Sequence, residues 1–156
     1  MSMRVLPPLL VLAAALGLVV GLGQVRGGGA ATGPATIRVE TRLAQSGRID
    51  LGRSGRSAGD MVLSSALVYN KRVTPRFIGR YELACTLIRL SSRSCDGTIQ
   101  LPRGDIAVGG ALEFPRLYEL AVVGGTGLYD NARGTLTVTR LGVYPTRELL
   151  VVRLTG

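Results

Sequence analysis

The sequence predicts an all-β chain: eight antiparallel strands closed into an up-and-down barrel. Three observations predict it. After Pro34 almost no stretch carries helical periodicity, and residues 36–43 alternate strictly, with Ile37, Val39, Thr41 and Leu43 on one face and Arg38, Glu40 and Arg42 on the other. Turn residues recur often enough to mark eight strand-sized segments in about 120 residues. The connections between them are mostly short, which suits antiparallel neighbours. A barrel of that size has an interior just wide enough for one small ligand. By pattern alone, a β-sandwich is the alternative.

The first strand, 36–43, rests on its alternation. The second, 60–69, follows a Gly/Ser-rich stretch that contains Arg53 and Arg56, and the third, 76–90, follows Thr74-Pro75. Residues Ser91 to Ser94 turn the chain into the fourth strand, 95–101. Pro102-Arg103-Gly104 leads into the fifth, 104–109, and Pro115 precedes the sixth, 118–123. Gly124, Gly125 and Gly127 end the sixth, where a tight connection would use positive φ. The seventh, 132–140, and the eighth, 147–154, are separated by Pro145. Cys85 and Cys95 are the only cysteines, so a disulfide between them has a single connectivity. A hairpin folded near Leu90–Ser91 sets them opposite each other, within reach of a disulfide. Two buried free thiols are the alternative.

The N-terminus reads as a targeting segment. Arg4 provides a short positive region, no residue from Val5 to Gly23 is charged, and a Gly/Ala-rich stretch follows. Residues 1–30 are therefore expected to be a secretory signal peptide, 31–35 a linker, and 36–156 the barrel domain. Both Gly21-Leu22-Gly23 and Gly28-Gly29-Ala30 fit the small-x-small cleavage pattern. An uncleaved anchor is the competing reading, because the uncharged stretch approaches the ~18 residues that span a bilayer. Pro7, Pro8 and the glycines favour the signal peptide, which implies a secreted or extracytoplasmic protein with no stable membrane insertion once the signal is removed.

Composition narrows the chemistry. The chain has 156 residues, no His, no Trp and two Cys, with a net charge of +9 from 18 Arg and one Lys against 10 acids. Without His there is no Ser-His-Asp triad and no histidine metal site, and two cysteines are too few for an all-Cys zinc site; no metal is expected. The arginines are scattered from Arg4 to Arg153, with few aromatics between them. Nucleic-acid binders gather charge into stripes, so no nucleic-acid partner is expected. Two motifs mislead. Gly55-Arg56-Ser57-Ala58-Gly59 matches the nucleophile elbow but lacks the helix and the His. The glycines at 124–127 resemble a dinucleotide loop, but the chain runs on into another strand instead of a helix.

The segment Ala121-Val122-Val123-Gly124-Gly125-Thr126-Gly127-Leu128-Tyr129-Asp130-Asn131-Ala132-Arg133-Gly134 resembles the signature of the dirigent and allene oxide cyclase-like barrel family: a V-x-G-G-T-G loop, an aromatic, then A-R-G. Asp50-Leu51-Gly52, Gly59-Asp60, the stretch from Phe77 to Arg89 and the stretch from Cys95 to Gly110 agree in order. The two cysteines make it more similar to bacterial secreted members. The resemblance covers roughly residues 39–154. It implies an eight-stranded barrel with an apolar pocket that orients a small reactive molecule during cyclisation or coupling, as a cyclase, isomerase or dirigent-type protein with no organic cofactor. Plant members form trimers, so a homo-oligomer, dimer or trimer, is expected. The resemblance also places Asp50, Asp60 and Arg133 as candidate pocket residues, with Tyr81 facing the ligand.

The residues themselves extend this reading. On 132–140, Arg133, Thr135, Thr137 and Thr139 share one face, and Ala132, Gly134, Leu136 and Val138 the other. If the first face points inward, Arg133 is a fixed cation in a low-dielectric pocket that can hold a phenolate or carboxylate. Asp50 or Asp60 is then expected near it as a proton donor, if burial raises its pKa. The bland readings are a turn Asp and a structural ion pair. A non-catalytic extracellular protein binding a small molecule, or associated with the envelope, is the alternative function.

Overall fold

The computed structural model describes residues 35–70, 76–114 and 116–155. The fold is the expected one. Eight antiparallel strands close on themselves, each pairing with its sequence neighbour and β1 with β8. They are β1 (Ala35–Ile49), β2 (Met61–Tyr69), β3 (Phe77–Arg89), β4 (Ser92–Leu101), β5 (Gly104–Leu112), β6 (Leu117–Gly125), β7 (Arg133–Val143) and β8 (Thr146–Thr155). The signal peptide and residues 31–34 of the linker lie outside the described residues; Ala35, read as linker, is the first residue of β1.

The strands run longer than alternation alone suggested. β1 extends six residues past Leu43, because a bulge between Leu43 and Gln45 resets its pairing with β2. β4 begins at Ser92, so the β3–β4 turn is only Leu90-Ser91. Cys85 pairs directly with Cys95 across this hairpin, and the two are joined by a disulfide. Gly124 and Gly125 lie within β6 and not in the turn as expected. Only Gly127 of the three has positive φ, at 60°. Gly125 is required for a different reason: a Cβ there would strike the Tyr129 and Asp105 carbonyls.

Alternation decides what fills the barrel. Val39, Val68, Ile99, Ile106, Leu136, Val138, Leu150 and Val152 project inward and are almost fully buried. They pack the half of the barrel that holds the start of β1, the end of β8 and the ends of the strands joined by the β2–β3, β4–β5 and β6–β7 connections. Branched apolar side chains thus plug the barrel's interior toward that filled end. The other end, where β1–β2, β3–β4, β5–β6 and β7–β8 connect, is packed less completely and opens to solvent.

Candidate functional site

At this open end the barrel encloses a cavity of about 230 Å³, to which all eight strands contribute side chains. Leu43, Val62, Leu83 and Leu112 make its apolar wall, and Tyr81, Tyr118, Glu148, Arg140 and Arg93 bring polar groups into it. The volume lies below the ~300 Å³ where drug-sized ligand pockets begin. It suits a compact ring compound better than a long chain.

The polar residues enter by strand parity. Glu148 continues the inward row Leu150, Val152, Leu154 of β8, and Arg140 continues Leu136 and Val138 of β7. Tyr118 continues Leu120 and Val122 of β6, and Tyr81 continues Leu83, Cys85 and Leu87 of β3. On β6, β7 and β8 the polar member is nearest the open end, whereas Tyr81 lies deeper, on the filled-end side of Leu83, Cys85 and Leu87, so the cup is polar at its rim and carries a phenol at its floor.

Burial sets the electrostatics. The Glu148 carboxylate approaches the Arg140 guanidinium at 3.4 Å. Burial raises its pKa above the ordinary value, and Arg140 opposes that shift without cancelling it. Burial also pushes the phenols of Tyr81 and Tyr118 upward, and the Glu148 carboxylate adds to both shifts, so both remain hydrogen-bond donors across the physiological range. Tyr81 is buried; the Tyr118 phenol is the neighbour that adds to its upward shift, but its hydroxyl makes no well-formed hydrogen bond. Arg93 is lowered by its own burial and by the positive charges of Arg56 and Arg140. The cup thus combines phenolic donors, a carboxylic acid that keeps its proton unusually well and a crowded cationic mouth.

Of the residues singled out from sequence, Tyr81 alone of the four pocket candidates lines this cavity. Arg133 does not. The inward face of β7 is the apolar one, so Arg133 is exposed and donates to the carbonyls of Val123, at 2.7 Å, and Ala132, at 2.9 Å. It ties the β6–β7 connection at the filled end, whereas Asp50 and Asp60 lie at the open end, so the expected cluster does not form. Asp50 is exposed and accepts from the Gly55 amide at 3.0 Å within the β1–β2 loop.

Asp60 is 1% exposed and holds the same loop. It accepts from the amides of Ser57 at 2.9 Å and Leu51 at 3.1 Å, and from Arg48 at 2.7 Å. Those backbone donors, Ser57 first and then Leu51, hold its pKa at about 2, the reverse of the shift an acid catalyst needs. Among the described residues, no group of three or more His, Cys, Asp and Glu side chains comes together to hold a metal ion.

No protein-family model matches the chain, and no curated protein is a significant sequence match. Solved structures do match. A pyocyanin demethylase superposes with a TM-score of 0.68 at 26% identity, over 78% of this chain and 100% of that one. The pterocarpan synthase dirigent protein GePTS1 superposes with a TM-score of 0.58 at 12% identity, over 78% of this chain and 85% of that one. The Diels–Alderase AbmU from Streptomyces koyangensis gives 0.57 at 11% identity, over 79% of this chain and 69% of that one. The chain has a dirigent/cyclase-type barrel fold. At 11–12% identity the last two likenesses concern the fold alone, so any chemistry must be argued from the residues of this cup.

Proposed function

We propose that this protein takes a compact, conjugated, mostly apolar ring molecule into the open-end cup and steers its cyclisation or coupling. The observation that carries the reading is the Tyr81 hydroxyl, buried in the cavity wall beside the Tyr118 phenol and without a well-formed hydrogen bond. A buried hydroxyl left unpaired costs about 1–3 kcal/mol, which a ligand acceptor recovers. In this reading Tyr81 and Tyr118 anchor a carbonyl or phenolic oxygen. Glu148, whose hold on its proton is strengthened by burial, donates to it as charge develops when protonated. The leucine and valine walls restrict the ring to one reactive conformer. The names of the structural neighbours, a demethylase of pyocyanin, a pterocarpan synthase and a Diels–Alderase, support a small organic molecule as the ligand class.

Export belongs to the same proposal. The Cys85–Cys95 disulfide fits an oxidising compartment. N-terminal sequencing of the exported protein should begin between Gln24 and Ala35; an intact Met1 in the membrane fraction would identify an anchor instead.

Steering is tested by generating the radical of 2-naphthol with a one-electron oxidant and measuring the enantiomeric excess of the coupled binaphthol. The wild-type protein should give an excess, and Glu148→Gln and Tyr81→Phe a near-racemic product. A racemic product from wild-type protein that nevertheless binds 2-naphthol would favour the non-catalytic binding reading.

A further inference from the structure

The rim around the cup has a composition of its own. Every connection at the open end carries an exposed large hydrophobic side chain: Leu51 (46% exposed) on β1–β2, Leu90 (68%) on β3–β4, Phe114 (71%) on β5–β6 and Tyr144 (96%) on β7–β8. Nine of the twelve exposed large hydrophobics among the described residues lie on or beside these four connections. Among the described residues the filled end differs: Phe77 is its one exposed large hydrophobic beside a connection. Its β4–β5 turn is Pro102-Arg103, its β6–β7 connection contains Asp130 and Asn131, and the partly buried Leu128 and Tyr129 of that connection do not project. Isolated exposed apolar residues are ordinary, but a ring of them on one end marks an interaction surface.

Charge narrows the kind of partner. The four open-end spans 47–60, 88–93, 112–118 and 139–148 contain eight arginines against four carboxylates, an excess of four positive charges. Two of the four carboxylates, Asp60 and Glu148, are already matched with Arg48 and Arg140. Apolar tips interspersed with arginines are the combination that seats a protein in the interface of an anionic bilayer, where the tips enter the acyl boundary and the guanidinium groups meet phosphate.

We propose that the open end is a peripheral docking surface for an anionic phospholipid bilayer, which places the mouth of the cup against the membrane. The protein lies on the bilayer without crossing it, and an apolar ligand can pass from the lipid into the cavity without entering water. This assignment rests on the rim alone and is independent of the chemistry inside the cup.

The test uses the full chain and exploits its lack of tryptophan. Single tryptophans are placed at the open end, as Phe114→Trp and Tyr144→Trp, and at an exposed filled-end position, as Phe77→Trp. Each is mixed with vesicles of phosphatidylcholine alone and of phosphatidylcholine with phosphatidylglycerol, some carrying brominated acyl chains. The open-end tryptophans should shift to the blue and be quenched by brominated lipid in anionic vesicles, at least ~10-fold more strongly than in neutral ones, with Phe77→Trp unaffected. Circular dichroism confirms that each variant is folded.

Three results would overturn the proposal. One is quenching confined to Phe77→Trp, since the apolar N-terminal segment joins the barrel at that end and would anchor it the other way round. Another is no response at either open-end position. The third is a concentration-dependent blue shift at the open-end positions without vesicles, which would assign the rim to a second copy of the chain.

Discussion

The Glu148 carboxylate lies 3.4 Å from the Arg140 guanidinium, and its pKa is nevertheless raised. Desolvation therefore outweighs the ion pair at this position, as is common where a carboxylate is drawn into an apolar wall. A carboxyl whose folded-state pKa lies above its unfolded value favours folding most below the unfolded value, about 4.3. That contribution is lost as pH rises through the folded value. Glu148→Gln removes the loss. The variant should melt above wild type at pH 7, with the difference disappearing below about pH 4. Thermal unfolding at intervals across this range is the measurement.

Asp60 should show the opposite sign. Backbone donors hold its pKa at about 2, so its contribution is complete above the unfolded value near 3.9 and fades as pH falls through 2. Asp60→Asn is expected to destabilise the protein at neutral pH, with the gap from wild type narrowing below about pH 4. Urea unfolding at pH 7 and pH 2.5 would detect it. The loop from Asp50 to Asp60 should also lose protection from proteolysis in this variant.

Arg133→Leu and Arg38→Leu should behave alike. Both side chains are exposed, and Arg133 donates only to two carbonyls of its own hairpin. Each substitution should cost about 1 kcal/mol or less and leave ligand binding unchanged. Arg93→Leu, at the cavity mouth, should weaken binding of an anionic or oxygen-bearing ligand. Equal losses in Arg93→Leu and Arg133→Leu would return Arg133 to the site.

The disulfide closes a short hairpin, with the two cysteines 10 residues apart. Chain entropy then predicts a contribution of about 2–3 kcal/mol. The double variant Cys85→Ala/Cys95→Ala should lose that much in chemical unfolding. Intact-mass measurement without reduction should show wild type two hydrogens lighter than the reduced chain.

The barrel was legible because period-two alternation and turn chemistry act locally. Residues 36–43 declare their buried face without reference to any partner strand, and the β3–β4 hairpin needs only Leu90-Ser91 to set Cys85 against Cys95. The site was less legible because strand parity sorts residues into two faces without naming the inner one. On β7 the faces were divided correctly, but Arg133 was assigned to the inside on resemblance, while Leu136 and Val138 occupy it. A usable signal was present. Glu148, Arg140 and Tyr118 each continue a row of inward Leu and Val residues, and a charged or phenolic side chain at the end of such a row lies where a plug gives way to a mouth. Asp60 misled for a physical reason: a buried carboxylate surrounded by backbone amides is an anchor for a loop, and only the three-dimensional donors reveal that.

The most direct test of the cup is a titration with 2-naphthol, the fused-ring probe proposed above, which carries an oxygen acceptor and can be followed by its fluorescence. Wild type should bind it, and Tyr81→Phe should bind about 10-fold more weakly, as expected for one buried hydrogen bond worth about 1.4 kcal/mol. The ligand-free Tyr81→Phe protein should be about as stable as wild type, because the hydroxyl makes no well-formed hydrogen bond that the substitution would remove. Binding to wild type should weaken as pH rises through the raised pKa of Glu148 and become independent of pH over that range in Glu148→Gln. If 2-naphthol does not bind, or binds equally well to wild type, Tyr81→Phe and Glu148→Gln at every pH, the cup at the open end is not the ligand site.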